Sequence, residues 1–143
     1  MPAAQIAANT RSNDNYVQYT LDSRGNVTQA AFVPKSGSGL STVTTSASYP
    51  SSCTNAKTCN APTSTTDALG NTTDYAYDSG TGLATSVTAP APTSGAVRPQ
   101  TRYGYSGGLL TSVSACQTAS SCSGGSDETK STIGYDSSGN VTS

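Results

Sequence analysis

A tyrosine running into a short glycine-closed turn recurs along this chain at a nearly constant interval. That recurrence limits the possible folds more than any other feature. Tyr77 precedes the turn Asp78-Ser-Gly-Thr-Gly82, and Tyr105, 28 residues on, precedes Ser106-Gly-Gly108. Tyr135 follows 30 residues later and leads into Asp136-Ser-Ser-Gly139. Counting back 28 from Tyr77 reaches Tyr49-Pro50, and another 28 reaches Leu21, in Tyr19-Thr-Leu21-Asp22-Ser-Arg-Gly25. Five positions share one period, and a fixed period of this size marks an array of like units.

The fullest unit runs from Asp67 to Pro90. It holds two turns, Asp67-Ala-Leu-Gly70 and Asp78-Ser-Gly-Thr-Gly82, separated by Thr73-Asp-Tyr75-Ala-Tyr77. Asp opens such turns by bonding to nearby backbone N–H groups, and Gly closes them at positive φ. Alternation with period two puts Thr73, Tyr75 and Tyr77 on one face of a strand. The segments after the turns agree with one another: Gly25-Asn-Val-Thr28, Gly82-Leu-Ala-Thr-Ser-Val87, Gly108-Leu-Leu-Thr-Ser-Val113 and Gly139-Asn-Val-Thr142. Gly39-Leu-Ser-Thr-Val43 is a shorter variant, with Leu40 and Val43 expected on opposite faces of a strand.

In chain order, residues 1–15 carry many turn formers and no period, which predicts an irregular lead-in. Residues 16–143 form the repeat array, with turns near 22–25, 67–70, 78–82, 106–108 and 136–139. Tyr16 to Leu21 enters the first hairpin, and Val27 to Val33 returns from it. Residues 34–39 read as a loop and 40–49 as a strand. Residues 53–62 are an insertion, and residues 89–99, interrupted by proline, form an extended connection that cannot be a central strand. Thr101 to Val113 gives another hairpin, residues 116–128 a loop, and a final hairpin begins near Lys130. No stretch has helical amphipathic spacing, so the expected class is all-β hairpins without helices.

Composition excludes several functions. Apolar residues are 33% and charged residues 10% of the chain, with one Phe, no Trp, no His and a net charge of −1. Ser and Thr supply about a third. Disordered chains combine low hydrophobicity with high net charge, and this one does not. Seven basic residues against eight acidic ones leave no basic excess for a phosphate backbone, so no nucleic acid is expected. No apolar run reaches membrane-spanning length.

The pattern Tyr-x-Tyr-Asp, a turn closed by Gly, then Thr-Ser-Val resembles the YD-repeat, or Rhs (rearrangement hotspot), family. Tyr75-Ala-Tyr77-Asp78 carries the likeness best, and Gly134-Tyr135-Asp136-Ser-Ser-Gly139-Asn-Val-Thr nearly as well. Leu21 stands where the second tyrosine would be, Ser106 where the aspartate would be, and Tyr49 has no glycine turn directly after it. The resemblance spans about Tyr16 to Ser143. It implies successive β-hairpins laid side by side in a strip, an open strip or a section of a β-shell. In complete family members the strip curls into a hollow shell, around a toxic domain in bacterial toxins or as an extracellular barrel in some animal adhesion proteins. A full shell needs many more repeats, so the expectation is a segment of a longer repeat protein, exported to the cell surface or beyond. Its partners are expected to be neighbouring repeats of that parent or further copies of itself, joined edge to edge.

The four cysteines form two C-x5-C pairs, Cys53/Cys59 and Cys116/Cys122, each in a polar stretch between hairpins. Local disulfides of an exported protein are the first reading. A four-thiolate zinc site is the second, against which stand the wide spacing and the lack of His. Free thiols are the third, without a cationic cluster to lower their pKa. Catalysis lacks its most frequent general base, and no cofactor or metal is expected. Asp22, Asp78 and Asp136 open turns and have a structural use there. The self-cleaving aspartic centre of the resembled family lies beyond its repeats and has no match here. Asn13-Asp14-Asn15 falls short of a calcium loop.

Tyr19, Tyr49, Tyr75, Tyr77, Tyr103, Tyr105 and Tyr135 have two readings. They pack as ladders across neighbouring hairpins on one sheet face, or they present rings on which sugars stack. Asn26-Val-Thr28, Asn71-Thr-Thr73 and Asn140-Val-Thr142 match the N-glycosylation pattern but coincide with the repeat's own Gly-Asn-x-Thr. The function expected is therefore a non-catalytic structural β-repeat, with a glycan-binding adhesion module as the alternative.

Overall fold

The computed structural model describes residues 13–117, 122 and 124–142. Of the predicted lead-in, residues 1–12 lie outside the described residues. The rest is all-β with no helix: nine strands in one antiparallel sheet, ordered as they occur in the chain. They are β1 Tyr16–Leu21, β2 Val27–Val33, β3 Val43–Ser48, β4 Ser64–Thr66, β5 Thr72–Tyr77, β6 Ala84–Thr88, β7 Gln100–Ser106, β8 Leu109–Cys116 and β9 Glu128–Thr132. A meander of this kind needs only neighbouring strands to pair. Consecutive connections therefore fall at alternate ends of the sheet.

That rule sorts the turns. The in-phase turns at Asp22, Asp78, Gly107-Gly108 and Asp136 all lie at one end, each after an odd-numbered strand. At the second in-phase position, Tyr49-Pro50, the first cystine loop replaces the turn at that same end. The out-of-phase turn at Asp67 joins β4 to β5 and lies at the opposite end, with the connections 34–42 and 89–99. One sequence period is two strands, one up and one down.

Pairing fixes which residues share a face. Tyr19 pairs with Ala30, Phe32 with Val43, Ala47 with Thr65, Tyr75 with Val87, Tyr103 with Val113 and Tyr105 with Leu110. Followed strand to strand, these residues form one face, carrying Val17, Tyr19, Leu21, Phe32, Val43, Tyr75, Tyr77, Val87, Tyr103, Tyr105 and Val113. The other face carries mainly Gln, Ser and Thr, with Tyr16, Val33 and Leu109 among them, together with all four charged strand residues: Asp74, Arg102, Glu128 and Lys130.

Three β-bulges keep that segregation. The register shifts between Thr20 and Leu21, between Ala76 and Tyr77, and between Gly104 and Tyr105. In each case a threonine on the return strand, Thr28, Thr85 or Thr111, is the extra residue without a cross-strand partner. An extra residue shifts the alternation by one place. Val27 and Ala30, Ala84 and Val87, and Leu110 and Val113, each three apart, thus share the tyrosine face. The hydroxyls of Thr28 and Thr111 donate to the Thr20 and Gly104 carbonyls at 3.2 and 3.1 Å.

The structure departs from the sequence reading in four places. Strand β3 begins at Val43 and ends at Ser48, shorter than residues 40–49. Leu40 is outside it and lines the same hollow as Val17, Phe32 and Val43; the placement of Leu40 and Val43 on opposite faces of one strand is thus incorrect. Strand β4 was not expected; its three residues pair with Ser46–Ser48 on one side and Thr72–Asp74 on the other. Cys116 ends β8 rather than lying in a loop, and the last strand begins at Glu128.

No second layer covers this sheet among the described residues. The apolar residues buried there are Cys59, Cys116 and Cys122. Tyr19, Leu21, Phe32 and Val43 stay exposed on the tyrosine face, Tyr19 at 61%.

Candidate functional site

Three turns share one hydrogen-bonded cage. In the first, Asp22 N donates to Asn26 O at 2.9 Å and Gly25 N to Asp22 O at 3.1 Å. Asp22 Oδ1 accepts from the N–H groups of Arg24 and Asn26, and Oδ2 accepts from Asn26 Nδ2 at 2.9 Å. Asp67 and Asn71 repeat every bond, as do Asp136 and Asn140. The Asn side chain foremost holds each Asp below the usual carboxylate value. Gly25, Gly70 and Gly139 take φ between 84° and 86°, which L side chains resist. The Asp78 turn is one residue longer: Thr81 replaces Asn, its hydroxyl donating to Asp78 Oδ1 at 2.8 Å and lowering that carboxyl. The turn at Gly107-Gly108 uses two positive-φ glycines and no carboxylate. The asparagines of the three glycosylation patterns are therefore members of these cages.

The first cystine loop ties its neighbours together. Cys53 and Cys59 are bonded to each other, as are Cys116 and Cys122, and no free cysteine remains among the described residues. Asn55 Nδ2 donates to Ser79 O at 2.8 Å, and Lys57 Nζ to Gly80 O, both in the Asp78 turn. On the other side Arg24 donates to Pro50 O at 2.6 Å and Asn26 to Asn60 Oδ1 at 3.1 Å. The loop thus bridges the gap that the missing second turn leaves. The second cystine packs against the polar face, where Arg102 donates to Cys122 O at 2.9 Å.

Arg98 is a residue that sequence reasoning missed. It sits in the proline-rich connection and reaches back over the sheet. Its guanidinium donates to the carbonyls of Ala89, Thr72 and Thr88 at 2.9, 2.7 and 3.0 Å and pairs with Asp74. A single basic residue between two prolines was the one available signal, and it is weak.

The predicted tyrosines divide as follows. Tyr19, Tyr75, Tyr77, Tyr103 and Tyr105 share one face, and Tyr135, bridged to Val141, continues that row beyond β9. Their direct cross-strand neighbours are aliphatic: Val87 for Tyr75, Ala84 for Tyr77, Val113 for Tyr103 and Leu110 for Tyr105. Strand β6 lies between the two tyrosine pairs, so the ladder alternates ring and aliphatic side chain rather than ring on ring. Three hydroxyls are already engaged: Tyr75 with Thr65 Oγ1 at 3.0 Å, Tyr77 with Pro62 O at 3.0 Å and Tyr135 with Leu110 O at 2.8 Å. Burial raises the Tyr77 phenol. Tyr49 follows β3 and leads into the cystine loop.

The polar face has one notch where charges converge, of about 450 Å³ and lined by Arg102, Ser112, Ser114, Glu128 and Lys130 among others. Glu128 is held ionised by the Ser114 hydroxyl and the Gly124 N–H. A single carboxylate there makes no acid/base pair. No group of three metal-ligating side chains occurs among the described residues, and no helix there is long and apolar enough to cross a membrane. No protein-family model matches the chain, and no curated protein matches it either.

Proposed function

We propose that this chain is a non-catalytic structural segment of an exported YD-type β-hairpin repeat protein, extended by strand addition at its sheet edges. The observation that carries the reading is the single-layer meander itself. Every period adds two strands, and the in-phase turns line up at one end, with the first cystine loop in place of the second. Such an array grows without altering its existing parts. Its outer strand β1 pairs on one side only, and it carries no charge or proline with which edges are normally guarded. Two cystines suit an oxidising exterior. Neighbouring repeats of a parent chain, or a second copy, complete the edge.

Light scattering and negative-stain microscopy of the chain test this. Wild type should form end-to-end assemblies, and Gln18→Lys/Thr20→Lys, which charges the β1 edge on the polar face, should suppress them. Assemblies indifferent to that pair of substitutions, or a monodisperse folded monomer at tens of micromolar, would refute it.

A further inference from the structure

We infer that the tyrosine face is a docking surface for a second copy of this chain, two sheets packing face to face into a β-sandwich. The inference does not depend on edge addition. A sheet with one apolar face is stable when another layer covers that face, and nothing covers it among the described residues. Instead Tyr19, Leu21, Phe32 and Val43 stand exposed in a contiguous group on β1 to β3.

Chemistry favours the same surface as the occupant. No strand residue on this face is charged, since Asp74, Arg102, Glu128 and Lys130 all lie on the other side. Two such faces meet without like-charge repulsion, and neither offers charge for a different, complementary partner to match. The hydroxyls of Tyr75, Tyr77 and Tyr135 are satisfied within the chain, so covering these rings strands none of those three polar groups.

Shape and size agree. Val27, Ala30, Thr45, Ala47 and Thr65 of this face line a hollow of about 340 Å³, which Gln29, Ser46, Thr66 and Asp67 also border. It lies between the Tyr19–Phe32 side of the face and the tyrosines of β5. In a two-fold pairing the aromatic ridge of each copy enters the hollow of the other. Nine strands at about 4.8 Å, averaging about 20 Å in length, give a footprint of roughly 800 Å² per copy. The total of about 1,600 Å² is that of a stable protein interface.

Sedimentation and light scattering on Phe32→Glu, with Thr44→Glu on the polar face as control, test the inference. Both sites are on inner strands, β2 and β3, and leave the edge unaltered. The expected result is at least a tenfold weakening of association for Phe32→Glu and none for Thr44→Glu. Should Phe32→Glu fail to fold, hydroxyl-radical footprinting of the wild type decides. Phe32 and Tyr105 should lose reactivity as concentration rises, while Leu109, on the polar face, should not. Equal effects of the two glutamates, or footprints independent of concentration, would overturn it. Loss of assembly by the β1 lysines with no effect of Phe32→Glu would leave edge addition standing and remove the face.

Discussion

Gly82→Ala is the substitution at which local backbone demand and long-range packing are most clearly separable. Gly82 and Gly139 close in-phase turns, the first one residue longer, at φ 80° and 84°. An alanine at Gly139 meets nothing within 4 Å, so only the left-handed backbone is strained. That strain is about 1–2 kcal/mol, less a few tenths for the stiffer unfolded chain, or about 1 kcal/mol net. At Gly82 the added Cβ would lie 2.8 Å from the Lys57 carbonyl oxygen and 3.2 Å from Lys57 Cβ. Backbone of the cystine loop has to move, as in an overpacked core, which adds about 1–3 kcal/mol. The total is about 2–4 kcal/mol. At roughly 3 °C per kcal/mol, thermal unfolding should fall by about 3 °C for Gly139→Ala and by about 6–12 °C for Gly82→Ala. Ser79→Ala, in the same turn with neither demand, should be silent. In a Cys53→Ala/Cys59→Ala background the loop can retreat, so the excess at Gly82 should shrink. Equal losses at Gly82 and Gly139, or an excess unchanged without the disulfide, would refute the packing of the loop on this turn.

Three further outcomes follow from the same contacts. Arg98→Met leaves the carbonyls of Thr72, Thr88 and Ala89 without their donor and should cost about 2 kcal/mol in denaturant melts. Asp74→Asn, losing only a half-exposed ion pair, should cost less than about 1. The turn carboxylates at Asp22, Asp67, Asp78 and Asp136 are held below their usual 3.8. Their contribution is therefore complete above that value and is lost as pH falls below it; melting temperature should be flat down to about pH 5 and drop below about pH 4. Intact mass should show four hydrogens fewer than the reduced chain, with peptides linked Cys53–Cys59 and Cys116–Cys122. Reduction should destabilise by about 2 kcal/mol per loop.

The turns were legible because their chemistry is local. Asp, the positive-φ Gly and the following Asn act within five residues, so the sequence shows them directly, and the bounds of β1 and β2 follow from the turn between them. The bulges were not legible in the same way. Alternation counted from Leu110 puts Val113 on the wrong face, and only the cross-strand register shows that Thr111 is the extra residue. The constant spacing of three between apolar residues after each turn was the available signal. Strand β4 escaped because three residues of Ser and Thr carry no period of their own, and both of its pairings are supplied by other segments. Leu40 was misplaced for the same reason: a residue outside the ladder obeys the hollow it fills rather than strand alternation. Arg98 acts through carbonyls, including Thr72, 26 residues away, and carbonyls leave no mark on a sequence.

The absence of a covered core among the described residues changes what each part of the repeat has to do. In a two-layered domain, apolar burial at about 25 cal/mol per Å² dominates and turns are secondary. Here the apolar face stays half open, so order within one chain rests on the backbone ladder and on whatever fixes the ends of the strands. Both ends are fixed, by different means. At the turn end, carboxylate cages and the first cystine loop join three successive connections into one hydrogen-bonded row. At the other end the proline-rich connection is held by Arg98, and the second cystine ends β8 against Arg102. Arresting the ends of each hairpin lowers the entropy gained on opening it, which is how short strands of Ser and Thr can hold register. What remains without a partner among the described residues is the tyrosine face and the outer edges of β1 and β9. Both are properties of the sheet as a whole rather than of one repeat.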